Sequence, residues 1–284
     1  MIEHTAIEEF YDAFSKRLLA DYVYGNKRVM AQLQFLREAI APNTRCILVV
    51  GCGSGQTAHF IAARVARDAR VLALDISEKN ISIATSLFSH KRVEYLVGDI
   101  LVDPVPGVWD VVVLPDVYEH VPENARGALH ARLRTLLAEH GKVLLTLPSP
   151  GHQEMLHASG SGLQIVDETV TLQDLQRLAD DLNAAVSYFA LISVWANNDY
   201  VHAVIERGAL RETSIRAEDL VAIKRQHRVP PRLVDGIMKI AGRFSDELRT
   251  RLRRWRVRRV MGHDCLPVGR GGEADSSAQT AEAP

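Results

Sequence analysis

The stretch RCILVVGCGSGQTA, residues 45–58, decides how the chain is read. Cys46 to Val50 form a short β-favouring run that passes straight into Gly51-Cys52-Gly53-Ser54-Gly55, and the helix-compatible segment QTAHFIAARVARD follows. An apolar run that ends in glycines reads as a core strand turning sharply into a helix. Glycine suits such an elbow because it accepts positive φ, and because a ligand can approach a backbone that carries no Cβ. The dinucleotide fingerprint G-x-G-x-x-G asks for glycine where this chain has Gln56, so the match is to G-x-G-x-G instead. Many nucleotide binders have glycine-rich strand–helix turns, and the elbow alone could equally be tight packing.

Strands and helices alternate downstream of the elbow. RVLALDIS (70–77) is a second strand, with Ser77 placed to cap the helix EKNISIATSLFS. RVEYLVGDI (92–100) and WDVVVLPD (109–116) are the third and fourth strands. A helix over 125–141 carries Leu129, Leu133, Leu136 and Leu137 on one face, with Gly141 expected as its stop. KVLLTLPSP (142–150) is a fifth strand, and GHQEMLHASGSG after it reads as a flexible lid. Thr171 and Asp174 form the box that starts the helix LQDLQRLADDLN. Strands over 186–195 and 199–207 are joined at Asn197-Asn198 as an antiparallel hairpin. This alternation predicts a mostly parallel sheet with helices on both faces and one antiparallel strand added at the end.

Upstream, residues 5–40 read as helices broken at Gly25-Asn26. The expected organisation is a helical N-terminal cap (1–41), an α/β domain (42–207), a basic helical extension (208–263) broken at Pro230-Pro231, and a tail (264–284) of disordered composition. The net charge of −1 hides an asymmetry: residues 1–207 carry 18 basic and 25 acidic side chains, whereas 208–263 carry 15 and 6. The stretch RTRLRRWRVRRV (249–260) holds seven arginines. It could grip nucleic acid, an anionic lipid surface or an acidic partner, or it could be a docked helix whose stripe is Leu248, Leu252, Trp255 and Val260. Cys46, Cys52 and Cys265 are scattered without a CxxC pair, which implies neither a disulfide framework nor a zinc site. No apolar run reaches bilayer length and the acidic leader is unlike a signal peptide, so a cytoplasmic setting is expected.

The ordered set ILVVGCGSGQTA, VLALDIS, YLVGDI, WDVVVLPDVYEHVP and GKVLLTLPSP, followed by the closing hairpin, resembles the class I S-adenosylmethionine-dependent methyltransferases over roughly residues 45–207. The resemblance implies a Rossmann-like, seven-stranded, mostly parallel sheet with an antiparallel last strand. It implies S-adenosylmethionine as cofactor and S-adenosylhomocysteine as product. Carried over, Gly51, Gly53 and Gly55 line the methionine and ribose portion. Asp75 holds the ribose hydroxyls and Ile76 packs on the adenine. Asp99 accepts the adenine amino group, Ile100 donates its amide to the ring, and Asp116 lies near the methionine end. Many relatives carry an acid two residues before the first glycine, and here that position is Val49. Asp116 or a backbone carbonyl would take over its role with the ammonium group.

DVYEHV (116–121) resembles the D-V-L-E-H-V stretch of small-molecule methyltransferases, including the quinone-biosynthesis O-methyltransferases. On that reading His120, with Glu119, deprotonates an acceptor hydroxyl; otherwise the two residues serve the following helix structurally. Tyr11, Tyr22 and His152 are the expected acceptor-pocket residues, and no metal is expected. The expected function is methyl transfer to a small molecule, most simply to a hydroxyl oxygen of a sugar, quinone or natural product. RNA or protein acceptors held by the basic arm, and a non-catalytic cofactor-binding subunit, are the competing readings. The N-P-P-Y type tetrad of amino-group methylation is absent, LPDVYE standing in its place, so nucleic acid is not an expected partner; a homodimer stays open.

Overall fold

The computed structural model describes residues 15–160, 163–164, 166–208, 234–262 and 266, the stretch 234–245 by its backbone alone. A helix over 15–24 (α1) meets α2 (Lys27–Ala39) at Gly25, whose φ is +83°, and the Asn26 side chain caps α2 by accepting the Arg28 N–H at 2.9 Å. Then follow β1 (Cys46–Val50), α3 (Gln56–Phe60, extended by a π-helical turn to Val65), β2 (Arg70–Asp75), α4 (Glu78–Leu87), β3 (Val93–Val97) and β4 (Trp109–Pro115). After these come α5 (Glu123–Leu136), β5 (Leu137–Pro148), α6 (Pro150–Ser159), α7 (Leu172–Asp181), β6 (Ala185–Ile192), β7 (Tyr200–Glu206) and α8 (Val234–Met261). The strands form one sheet in the order β3-β2-β1-β4-β5-β7-β6, with β7 antiparallel to both of its neighbours and the other pairs parallel.

Side chains alternate across a strand, so a sheet covered on both faces buries two layers. Leu48, Leu72, Val112 and Leu145 pack with α5 and α7 on one face. Ile47, Val71, Val113 and Leu144 pack with α2 and α3 on the other. The start and end signals mostly hold: Ser77 Oγ accepts the Asn80 N–H at 3.0 Å, and Thr171 and Asp174 close a reciprocal capping box.

Four local expectations are corrected. Helix α5 stops at Leu136, and Gly141 lies within β5. The reason is Arg207, just past the end of β7, whose guanidinium donates to the carbonyls of Arg134, Leu137 and Ala138 and so ends the helix from far along the chain. Residues 193–199 are a loop and not strand: the Asp199 carboxylate accepts the N–H groups of Val194, Trp195 and Ala196 at 2.7–3.0 Å. The stretch 150–159 is helix α6 and not a flexible loop, with Ser149 as N-cap, Pro150 in the first turn and Gly160 in the left-handed conformation at its end. Finally, α8 is docked, but not through the expected stripe. Buried Val257 joins Leu19, Tyr22, Val23, Leu87 and Phe88, while Leu248, Leu252, Trp255 and Val260 face solvent. The proposed break near Pro230 and nearly all of the tail lie outside the described residues.

Asp199→Ala removes the buried carboxylate that accepts three backbone amides of the loop, and such charge-assisted bonds are costly to lose. We expect a loss of about 2–4 kcal/mol in urea unfolding from that single change, and an unaltered midpoint would disprove the role given to this carboxylate.

Candidate active site

The elbow sits where β1 ends. Gly51, Gly53 and Gly55 all have positive φ, +67°, +52° and +89°. A Cβ on Gly55 would stand 2.7 Å from that of Ala84, so this position needs glycine on both conformational and steric grounds. The Gly53 N–H donates to Asp75 Oδ2 at 2.7 Å, while Asp75 Oδ1 accepts the Ser77 N–H at 3.0 Å and the Asn80 side-chain amide at 3.1 Å. The Asp75 carbonyl in turn accepts the Gly98 N–H at 3.0 Å, which brings Asp99 to the same edge. Asp99 orders its own loop, accepting the Leu101 N–H at 2.8 Å. Ile76 is half-buried and Ile100 buried there. The structure thus brings Gly51, Gly53, Gly55, Asp75, Ile76, Asp99 and Ile100 together at the carboxyl ends of β1, β2 and β3. Leu18 of α1 lies across the elbow, 3.1 Å from the position a Cβ of Gly53 would take.

A second group forms at the carboxyl ends of β4 and β5. Asp116 has φ +53°, a costly conformation for a residue with a side chain, and its N–H donates to the Thr146 carbonyl at 2.8 Å. Its Oδ2 is ion-paired with Arg28, while Oδ1 is buried without a hydrogen-bond partner in the protein. Glu119, 2% exposed, likewise has one buried oxygen, Oε2, without a partner. Burial pushes the Glu119 carboxyl up, against the opposing charge of His120. His120 Nδ1 donates to the Val166 carbonyl at 2.7 Å and lies 3.2 Å from Asp167; Nε2 faces Glu119 at 3.8 Å. Burial alone would lower the His120 pKa, but the Glu119 charge, Asp167 and the Val166 carbonyl together carry it above its ordinary value.

The turn that holds these groups is fixed from behind. Tyr118 is buried, its hydroxyl meets His130 Nε2 at 2.9 Å, and His130 Nδ1 meets Asp181 at 2.6 Å. Arg126 stacks over the Tyr118 ring at 5.0 Å.

Of the expected acceptor-pocket residues, Tyr22 and His152 do not gather here. Tyr11 lies outside the described residues. Tyr22 is a packing residue: its ring meets Phe88 edge-on at 4.8 Å and carries Arg253 over its face at 5.3 Å, closing the seam between α1, α4 and α8. His152 lines a cleft of about 360 Å³ between α6 and the β6–β7 loop. A different cleft, about 420 Å³, opens beside His120 and is lined by Pro122, His157, Val166 and Asp167. Sequence reasoning missed Arg28 and Asp167. Arg28 follows an Asn cap on a helix far upstream, and nothing in that local pattern points to Asp116.

A family model described as a methyltransferase domain matches residues 47–141. The chain is 28% identical over 149 residues to the mitochondrial ubiquinone biosynthesis O-methyltransferase of Schizosaccharomyces pombe, which covers 46% of this chain and 52% of that one. It is 34% identical over 118 residues to an uncharacterized methyltransferase of Mycobacterium tuberculosis, covering 40% of this chain and 57% of the relative. The chain therefore spans about half the length of the curated relatives it matches. In fold it is similar to the magnesium protoporphyrin IX methyltransferase of Synechocystis PCC 6803 with bound S-adenosylhomocysteine, with a TM-score of 0.56 and 17% identity, covering 72% of this chain and 99% of that one. Over residues 47–141 the chain thus matches a methyltransferase domain, and its sheet has the fold of a solved methyltransferase, with the glycine elbow and two acids at the carboxyl edge.

Proposed function

We propose that the chain transfers a methyl group from S-adenosylmethionine to a hydroxyl oxygen of a small molecule of the sugar, quinone or natural-product kind. The carrying observation is Asp116 Oδ1, a buried carboxylate oxygen without a protein partner, at the edge that also holds the glycine elbow and Asp75. A buried anionic oxygen left unpaired is costly, and an ammonium group satisfies it. Asp116 thereby replaces the acid missing at Val49, and Arg28 beside it is placed for the carboxylate at the amino-acid end. Gly51, Gly53 and Gly55 keep side chains out of the way of the ligand. Asp75 and Ile76 serve the ribose and adenine side, with Asp99 and Ile100 at the ring edge.

S-adenosylmethionine supplies a methyl already activated on a sulfonium, so the protein's tasks are placement and proton removal. The acceptor oxygen forms the new C–O bond as the C–S bond breaks, leaving a neutral thioether, and the acceptor proton must go to the protein. His120 suits this role: Nδ1–H is committed to the Val166 carbonyl, which leaves Nε2 as the basic atom in the neutral ring. Glu119 then stabilises the imidazolium that forms. The likeness to ubiquinone biosynthesis O-methyltransferases supports a hydroxyl acceptor.

Titration with S-adenosylmethionine in a calorimeter tests the cofactor site. Gly53→Arg is expected to abolish binding and Asp116→Asn to weaken it about tenfold or more, and unchanged affinity in both variants overturns the assignment. Release of S-adenosylhomocysteine with phenol, sugar and amine acceptors tests the oxygen preference, which turnover on amines alone would refute.

His120→Ala should lower turnover by about 10²–10⁴ while cofactor affinity stays intact. The base works only when neutral, and its raised pKa means that neutrality is lost at a higher pH as the solution is acidified. The rate should therefore fall through a limb above about pH 6.5, and Glu119→Gln should move that limb to lower pH. A limb that does not move removes Glu119 from the proton path.

A further inference from the structure

The seven arginines of 249–260 do not all face the same way, and the division between them defines a surface. Arg253 and Arg256 face inward: Arg253 donates to the Tyr22 carbonyl and stacks on the Tyr22 ring, and Arg256 donates to the Leu87 carbonyl and lies over Phe88. With fully buried Val257 they clamp α8 onto α1 and α4. On the opposite side Leu248, Leu252 and Trp255 are each more than half exposed, and the recurrence at i, i+4, i+7 puts them in one line along the helix. Arg251 and Arg258, exposed, flank that line on one side, and Arg249, exposed and 3.8 Å from Asp246, flanks it on the other. Arg259 continues the line and stacks over Trp255 at 5.1 Å.

We infer that this face of α8 is a docking surface for an anionic lipid bilayer, the helix lying in the plane of the headgroups. The chemistry of the face selects that occupant. Large apolar side chains in the centre gain by entering the acyl boundary, the indole is suited to the interface, and arginines on both flanks reach back to phosphates. A second copy of the chain would bring two arginine-flanked ridges into contact, which like charge opposes. A nucleic acid would satisfy the arginines but leave Leu248 and Leu252 against phosphate or water. No helix among the described residues is long and apolar enough to cross a membrane, so the association is with the surface. Because α8 is clamped to α1, and α1 carries Leu18 over the glycine elbow, the docked enzyme would present its cap helix close to the bilayer. This inference does not depend on the acceptor proposed above.

Co-sedimentation of the full chain with vesicles tests it, using phosphatidylcholine alone and phosphatidylcholine mixed with phosphatidylglycerol. The chain should pellet with the mixed vesicles and not with the neutral ones, and added salt should release it. Leu252→Glu with Trp255→Glu, and separately Arg251→Glu with Arg258→Glu, should each weaken binding by about tenfold or more. Calorimetric affinity for S-adenosylmethionine, retained in both variants, shows that the fold has survived. Failure to bind the mixed vesicles overturns the inference, as does equal binding to both kinds or binding that neither variant disturbs. Two further outcomes also overturn it: a dimer in light scattering that the Leu252/Trp255 variant dissolves, or tight binding of an RNA oligonucleotide with vesicles ignored.

Discussion

Asp75 is 7% exposed, and its two carboxylate oxygens receive the N–H of Gly53, the N–H of Ser77 and the side-chain amide of Asn80. One charged group thereby ties the end of β1, the end of β2 and the first turn of α4 together. Charge-assisted bonds of this kind are among the stronger ones, and burial makes their loss costly. Removing this carboxylate would free the elbow to adopt other conformations, and the positive φ values of Gly51, Gly53 and Gly55 would no longer be over-determined by their surroundings. The carboxyl edge of β1 and β2 depends on this anchor.

The carboxyl ends of β4 and β5 are held by a different device. Here a strained residue, Asp116 at φ +53°, begins a turn whose second half is fixed from behind by Tyr118, His130, Asp181 and Arg126. In front, the turn presents Asp116, Glu119 and His120, and the two carboxylates each keep a buried oxygen without a protein partner. Rigid support behind and unsatisfied polar atoms in front is the arrangement expected where a protein is organised around a ligand. Arg28 of α2 adds an ion pair to Asp116, so an upstream helix also holds this turn.

How legible each part was follows from how local its cause is. The centres of the seven strands and the Ser77 and Thr171 caps depend on residues within a few positions of one another, and they stand where the periodicity placed them, though β5 starts earlier and β6 ends sooner than expected. Helix α6 was also locally written, as Ser149-Pro150 at one end and Gly160 at the other, but its glycine and histidine content reads as a loop. The end of α5 could not be read from its own residues, because its capping group belongs to Arg207, some seventy residues later. The stripe on α8 was legible as a stripe, though not the side on which it would lie. An amphipathic helix with arginines on every face can dock by its aliphatic stems and guanidinium faces as readily as by leucines.

By itself the sequence determined the order of elements, the glycine elbow, the acids at the strand tips and the family to which they point, because strand and helix periods and turn residues act over short range. Tertiary structure alone decided which groups meet: Arg28 with Asp116, His120 with Val166 and Asp167, Tyr22 with Phe88 and Arg253. These pairs come from separate elements, and a pairing across the fold is settled by how sheet and helices pack in three dimensions, where burial and the need to satisfy every buried polar atom select the partners.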